Sequence, residues 1–261
     1  MTAPESRDGA AARGIRDAPA PADTGGSGLA RLTWPEAAPD LARRLLAVPV
    51  GSTEQHGPHL PFTVDTEIAV ALCARLAHAR PGVVTAPPVP YGSSGEHMAF
   101  PGTLSIGREA TELLLVELVR SADAFAGVVL VSAHGGNAVP VRRAVARLRA
   151  EGRRVLAWGP AGPPDDSHAG RTETSVMLAL RPDAVRTDRY APGDLRPLPA
   201  IIDELRHSGV GAVSPSGVLG DPTGAHAEEG ERTLAVWTER LVTATDRWLH
   251  ARDHTPQHLP G

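Results

Sequence analysis

The sequence predicts an α/β fold in which a mostly parallel central sheet is covered by helices on both faces. Three observations predict it. Short apolar runs alternate along the chain with longer stretches that place apolar residues every three or four positions, the rhythm of strand and helix in turn. The runs at 45–50 and 127–133 are apolar throughout, as strands buried on both faces are. Polar residues able to do chemistry gather just after those runs, and in open parallel sheets ligands collect beyond the carboxyl ends of the strands.

Residues 1–28 are rich in Ala, Arg, Gly, Pro and Asp with few large apolar side chains, so they read as a disordered tail that cannot offset its ordering entropy. One globular domain is expected over 29–252, with a short tail at 253–261. The run at 45–50 is the first strand, stopped by Gly51 and Ser52. Ile68, Leu72, Leu76 and Ala79 have helical spacing over 66–79, with Thr66 as N-cap and Pro81-Gly82 as the stop. A strand at 83–86 follows. The segment 87–107 is too rich in Gly, Pro and Ser for regular structure and too long for a mere connector, which marks it as functional. Leu114, Leu115, Leu118, Val119 and Ala122 predict a helix over 108–126, and the strand at 127–133 ends in His134-Gly135-Gly136-Asn137. A helix through Val141, Val145 and Leu148 stops at Gly152, a strand spans 154–158, and a helix spans 171–180. Residues 183–224 read as loop with one short helix at 201–206, and 228–248 as a closing helix. There is no internal repeat.

The chain has 261 residues, 41% hydrophobic and 21% charged, the profile of an ordinary soluble protein. Its net charge of −4, with no basic block, lacks the electrostatic footprint of a nucleic-acid or anionic-membrane binder. The single cysteine, Cys73, sits in the apolar pattern of a helix and is expected to fill core, which excludes an intrachain disulfide and a Cys-rich zinc site. No apolar run of about 18 residues and no basic-then-apolar leader appear, so a cytoplasmic protein is expected.

Glu54 and His56 lie two apart, so an extended segment projects both to one face, and Asp65 follows as the next helix starts. Carboxylate, imidazole and carboxylate at a strand end suit a divalent metal, although a polar loop with no ligand role fits the same short pattern. His134 ends the most apolar strand, where Gly135-Gly136 let a ligand approach; a hydrogen-bonded strand-end histidine is the alternative. His168 opens a helix and Glu173 lies one to two turns on, either as metal-site residues or as a cap and a solvated carboxylate. Together Glu54, His56, Asp65, His134 and Glu173 supply two imidazoles and three carboxylates, enough for two metals if one carboxylate bridges. That is the equipment of an amide hydrolase. The zincin and nucleophile-elbow signatures and a phosphate loop are absent, which disfavours those enzyme classes.

At these residues the sequence resembles a known family. GSTEQHGPHLP (51–61), the aspartate of TVDTEIA (63–69), YGSSGEH (91–97) with FPGTLSIG (100–107), AHGGN (133–137) and SHAGRTETS (167–175) resemble the creatininase family of dinuclear metal amidohydrolases. The likeness continues through VSPSGVLGDPTGAHAEEG (213–230), and its wording is closest to the mycofactocin-system branch, peptidases that trim a modified precursor peptide.

The resemblance implies a three-layer creatininase-like fold and two divalent ions per chain, zinc or iron, with manganese also suited. It implies Glu54 and His134 on one ion, His56 and Glu173 on the other, and Asp65 bridging. His168 matches a proton donor to the leaving nitrogen, and Ser94, Glu96 and His97 fall in a loop beside the substrate. One departure stands out: creatinine-hydrolysing members carry an aromatic residue and a glutamate where this chain has Gly135 and Gly136. Glu173 is assigned to the second ion for that reason, and loss of the aromatic wall argues for an open cleft that suits a peptide. The implied reaction is attack by metal-activated hydroxide on the modified mycofactocin precursor peptide, releasing a cross-linked C-terminal dipeptide derived from Val and Tyr. Alternatives are a small-molecule amidohydrolase acting on creatinine or a formamide, a metal-binding scaffold without catalysis, and a sugar or nucleotide binder. Relatives of this family imply a homo-oligomer, with a hexamer as one form.

Overall fold

The computed structural model describes residues 28–251. The expected tails therefore lie outside the described residues, apart from Gly28, which bridges Thr85. A short helix α1 (Trp34–Ala37) leads to strand β1 (Leu45–Val50), then α2 (Val64–Ala79), β2 (Val83–Thr85), α3 (Gly107–Ser121), β3 (Gly127–Ser132), α4 (Ala138–Ala150) and β4 (Val155–Trp158). Helices α5 (Arg171–Leu180), α6 (Leu198–Ser208), α7 (Val210–Val213) and α8 (Ala227–His250) complete the chain. The four strands form one parallel sheet in the order β2-β1-β3-β4.

Alternate residues of the strands feed two cores. Leu45, Ala47, Val129 and Val131 face Ile68, Leu72 and Leu76 of α2, Val176 and Met177 of α5, and Leu234, Trp237 and Leu241 of α8. Leu46, Val48, Val50, Val128 and Leu130 face Leu115, Val116 and Val119 of α3 and Val141, Ala144 and Leu148 of α4. The sheet is thus the middle of three layers, which is why β1 is buried along its whole length. Cys73 is fully buried in the first of these cores, as expected. Among the described residues no helix is long and apolar enough to cross a membrane.

Helices α1 and α7 were not expected and α6 is longer than the expected 201–206, and at three other places the boundary differs from the sequence reading for a reason visible in the contacts. Helix α2 starts at Val64 with Thr63 as N-cap, because the Thr66 hydroxyl is engaged elsewhere, donating to Ser52 O at 3.0 Å. Asp65 consequently lies inside the first helical turn, where the positive end of the helix dipole favours a carboxylate. Helix α3 ends at Ser121, and the chain then turns so that Ala126 N can donate to Arg44 O and feed β3. His168 precedes the start of α5 by three residues and forms a bridge with Leu219, while Asp166 caps the helix by accepting from Arg171 N and Thr172 N, both at 2.7 Å.

Gly230 lets α8 lie directly on α5: a Cβ there would sit 1.9 Å from Ser175 O. We expect Gly230→Ala to lower stability by about 1–3 kcal/mol, the usual cost of overpacking against rigid backbone. Chemical denaturation should show a lower midpoint at unchanged slope.

Candidate metal centre

The sheet order reverses direction between β1 and β3, so their carboxyl ends open a crevice that neither connecting helix covers. The loop after β1 carries Glu54 and His56 into it, and the end of β3 carries His134. Helix α2 delivers Asp65 because Gly51 permits close approach: a Cβ on Gly51 would fall 2.5 Å from Thr66 Cα. Helix α5 delivers Glu173. Residues far apart in sequence thus converge in one buried cluster.

Asp65 is its centre, 2% exposed. One oxygen, Oδ1, lies 3.4 Å from His56 Nε2, and the other, Oδ2, lies 3.3 Å from His134 Nδ1. The Ser52 hydroxyl donates to Oδ2 at 2.6 Å and fixes the carboxylate. Glu173 Oε2 lies 3.8 Å from His56 Nε2 and accepts from Ala169 N at 2.6 Å. Ala169 takes a left-handed backbone, φ 53, to make that bond, a conformation uncommon outside glycine. Glu54 Oε2 is 3.1 Å from His134 Nε2, and Glu54 Oε1 is 3.3 Å from His97 Nε2.

Burial works against charge on His56, yet the Asp65 carboxylate, with Glu173 and Glu54 behind it, holds the imidazole up at about 9. Burial, with the Asp65 charge adding to it, pushes Glu173 up to about 7. His134, though buried, is held well above its ordinary value by Glu54 and Asp65 on its two sides. Three carboxylates in so dry a space concentrate negative potential, and that potential draws protons onto the imidazoles. It draws a divalent cation for the same reason.

The donor set fits such an ion. Both oxygens of Glu54 and Nε2 of His56 are fully buried without a hydrogen-bond partner, which in a folded protein calls for an ion or water. His56 Nδ1 donates to Glu54 O at 3.1 Å, which turns Nε2, without a hydrogen-bond partner, toward Asp65 and Glu173; a metal would take the place of the proton there, the arrangement ligating histidines adopt. Three groups have ligand atoms within 4.8 Å of one another: Glu54-His56-Asp65, His56-His168-Glu173 and Glu54-His97-His168. His134 belongs to none of these groups; its Nδ1 faces Asp65 Oδ2, and its Nε2 faces Glu54 Oε2 and meets Ser93 O at 2.9 Å.

Of the residues the resemblance places beside a substrate, Ser94 is fully buried with its hydroxyl 3.4 Å from His134 Nε2, and His97 is buried against Glu54. Glu96 alone of the three keeps appreciable exposure, 27%, at the rim beside His134. Burial raises its carboxyl above the usual range. His168 is buried, its Nε2 2.9 Å from Gln55 O and its ring 4.3 Å from that of His56.

Several polar residues that hold the site escaped the sequence reading. Gln55 and Ser52 are buried beside the ligand candidates, and Asn137 joins two loops by accepting from Ser93 N and donating to Gly51 O, both at 2.9 Å. His59 is fully buried with Nε2 2.9 Å from Thr174 Oγ1, and burial, with the His56 charge, lowers it to about 4. Their one signal in the sequence is adjacency: each lies within two or three residues of a candidate ligand.

Comparison with known proteins agrees with this geometry. Residues 30–245 match the creatininase family model, described as creatinine amidohydrolase. A mycofactocin precursor peptide peptidase of Mycolicibacterium smegmatis is 50% identical over 216 residues, 80% of this chain and 87% of that protein. One of Mycobacterium ulcerans is 47% identical over 232 residues, 85% of this chain and 88% of that protein. Among solved structures, a creatinine amidohydrolase superposes with TM-score 0.72 at 26% identity, covering 89% of this chain and all of that one. Others of that kind are described as a Zn-Zn type and as a manganese form. A family model spanning most of the chain, relatives near half identical and a shared fold lead to one conclusion: the chain belongs to the creatininase family of amidohydrolases.

Proposed function

We propose that the protein is a divalent-metal-dependent peptidase that cleaves the modified mycofactocin precursor peptide and releases its C-terminal Val-Tyr-derived, cross-linked dipeptide. The observation that carries the metal-dependent reading is the burial of Glu54 and Asp65, with Glu173 part-buried, around the unpartnered Nε2 of His56, both Glu54 oxygens also lacking hydrogen-bond partners. The substrate reading rests on the two relatives near half identical that carry that activity in their names. Gly135 supports it. It bears no side chain, and a Cβ there would meet nothing within 4 Å, so this position contributes no aromatic wall around a small ring.

In this reading Glu54 and His134 would hold one ion and His56 and Glu173 the other, and Asp65 would serve both, its two oxygens being turned to His56 and His134 respectively. Bound zinc, iron or manganese supplies Lewis acidity for the scissile carbonyl and lowers the pKa of the attacking water. His168 carries the proton. Its Nε2 hydrogen is committed to Gln55 O, so Nδ1, 3.9 Å from Glu54 Oε1, is the atom that takes up a proton from the nucleophile and returns it to the leaving nitrogen. Burial, with the His56 charge beside it, keeps His168 well below its ordinary value, so it starts the cycle neutral. Glu96 stands at the rim where the peptide enters.

The direct test is metal analysis of the purified chain together with mass-spectrometric detection of dipeptide release from the modified precursor; a metal-loaded chain that leaves the peptide intact overturns the proposal. Asp65→Ala should strip both ions together, because each loses one of few anionic ligands. Retention of two ions by that variant would remove Asp65 from the bridging role. His168→Ala should keep both ions yet lose about 10²- to 10⁴-fold in turnover, the usual worth of a positioned acid–base group. Depletion of one ion would instead make His168 a ligand. Gly136→Glu should gain no creatinine turnover and should disturb metal loading, since a Cβ at Gly136 would meet Ser93 O at 2.3 Å and His134 Nε2 at 2.4 Å.

A further inference from the structure

Gln55 is 6% exposed and touches no proposed reaction step, yet its side chain and main chain meet two of the histidines at the site. The orientation of its amide is decided by two backbone groups. Oε1 accepts from Gly57 N at 2.8 Å, and Nε2 donates to Gly217 O at 3.1 Å, so the amide cannot be turned over without facing donor to donor and acceptor to acceptor. Gly217 allows this approach: its φ is +79°, and a Cβ there would fall 2.1 Å from Gln55 Oε1.

The amide then has one hydrogen left, and it points to His97 Nδ1 at 2.9 Å. A ring nitrogen that accepts carries no proton, so neutral His97 must carry its proton on Nε2, the atom 3.3 Å from Glu54 Oε1. His168 is fixed by the main chain of the same residue. Its Nε2 lies 2.9 Å from Gln55 O, and a carbonyl offers only lone pairs, so Nε2 is the protonated nitrogen and Nδ1 is bare. The Gln55 amide nitrogen also lies 3.0 Å from His168 Nε2, but two donors cannot bond, which leaves the amide hydrogens for Gly217 and His97.

We infer that Gln55 is a positioning residue that sets the tautomers of His97 and His168, turning the N–H of one ring toward Glu54 and leaving the other ring a bare nitrogen on the side away from Gln55. The inference rests on the metal-dependent reading of the site and deepens it. His97 then turns an N–H toward Glu54 at 3.3 Å, too poorly aligned for a hydrogen bond but near enough to favour the charged carboxylate. The bare Nδ1 of His168 is what allows that ring to accept a proton. A ring with the opposite tautomer would face Glu54 with a hydrogen and have nothing to accept with.

Tautomers can be read directly by long-range proton–nitrogen correlation in the full chain labelled with ¹⁵N-histidine, both metal-free and zinc-loaded. Wild type should show His97 and His168 each protonated at Nε2. Gln55→Glu keeps the shape but removes the amide hydrogens, so His97 should move its proton to Nδ1, with zinc affinity about 10- to 100-fold weaker. Gln55→Met, which neither donates nor accepts, should leave His97 as a mixture of both forms and is the second variant should the glutamate fail to fold. A wild-type His97 protonated at Nδ1, or a folded Gln55→Glu chain with unchanged tautomers, overturns the inference. Because the signals are read without metal as well, a wild-type chain that binds no zinc would overturn the metal reading separately and leave the tautomer assignment to be decided by its own spectra.

Discussion

Three carboxylates buried within a few ångströms of one another set the terms for the rest of this structure. Glu54 and Asp65 are almost wholly inaccessible and Glu173 is part-buried, and a cluster of that charge is tolerable only if positive charge is held against it. The imidazoles of His56 and His134 supply part of it, and both are accordingly held above their ordinary range despite burial, His56 at about 9. The remaining demand is for a cation, and the orphaned oxygens of Glu54 show where the demand is greatest.

Holding such a cluster requires rigidity around it, and the fold provides this from the strand ends. Strand β1 is buried throughout, so the loop leaving it has a fixed origin. Gly51 lets α2 start against that loop, and the Ser52 hydroxyl and carbonyl then bond to Asp65 and Thr66 respectively. On the other side α5 is pinned by α8 through the Gly230 contact and capped by Asp166, which fixes Glu173. The long segment between β2 and α3 has little regular structure, yet it is tied down at Thr53, Leu104, Gly92 and Ser105 and carries Ser94, Glu96 and His97 to the site.

The second layer of polar contacts is as specific as the first. Gln55, Ser52, Asn137 and the Gly217 carbonyl each satisfy a group that would otherwise point into the cluster unpaired. Buried networks of this kind are costly when incomplete, so each partner narrows the orientation of the next. Glu96 illustrates the economy of space: its carboxylate lies against Gly136, where any side chain would collide with it.

The sequence by itself determined the α/β class, the four strands near their observed positions, the burial of Cys73 and several of the acidic and histidine residues that the structure gathers at the strand ends. It could do so because apolar periodicity and turn residues are local signals, and because Glu54, His56 and His134 follow directly on strands whose ends were legible. Less was legible where the deciding contact is distant. The start of α2 depends on Thr66 meeting Ser52, the end of α3 on Ala126 meeting Arg44, and the separation of His168 from α5 on its pairing with Leu219. Only the tertiary structure decided which face of each histidine is bare, because that follows from whether a carbonyl or an amide hydrogen lies opposite, as Gln55 shows for His97 and His168. A tautomer is a property of neighbours in space, and no spacing along the chain encodes it.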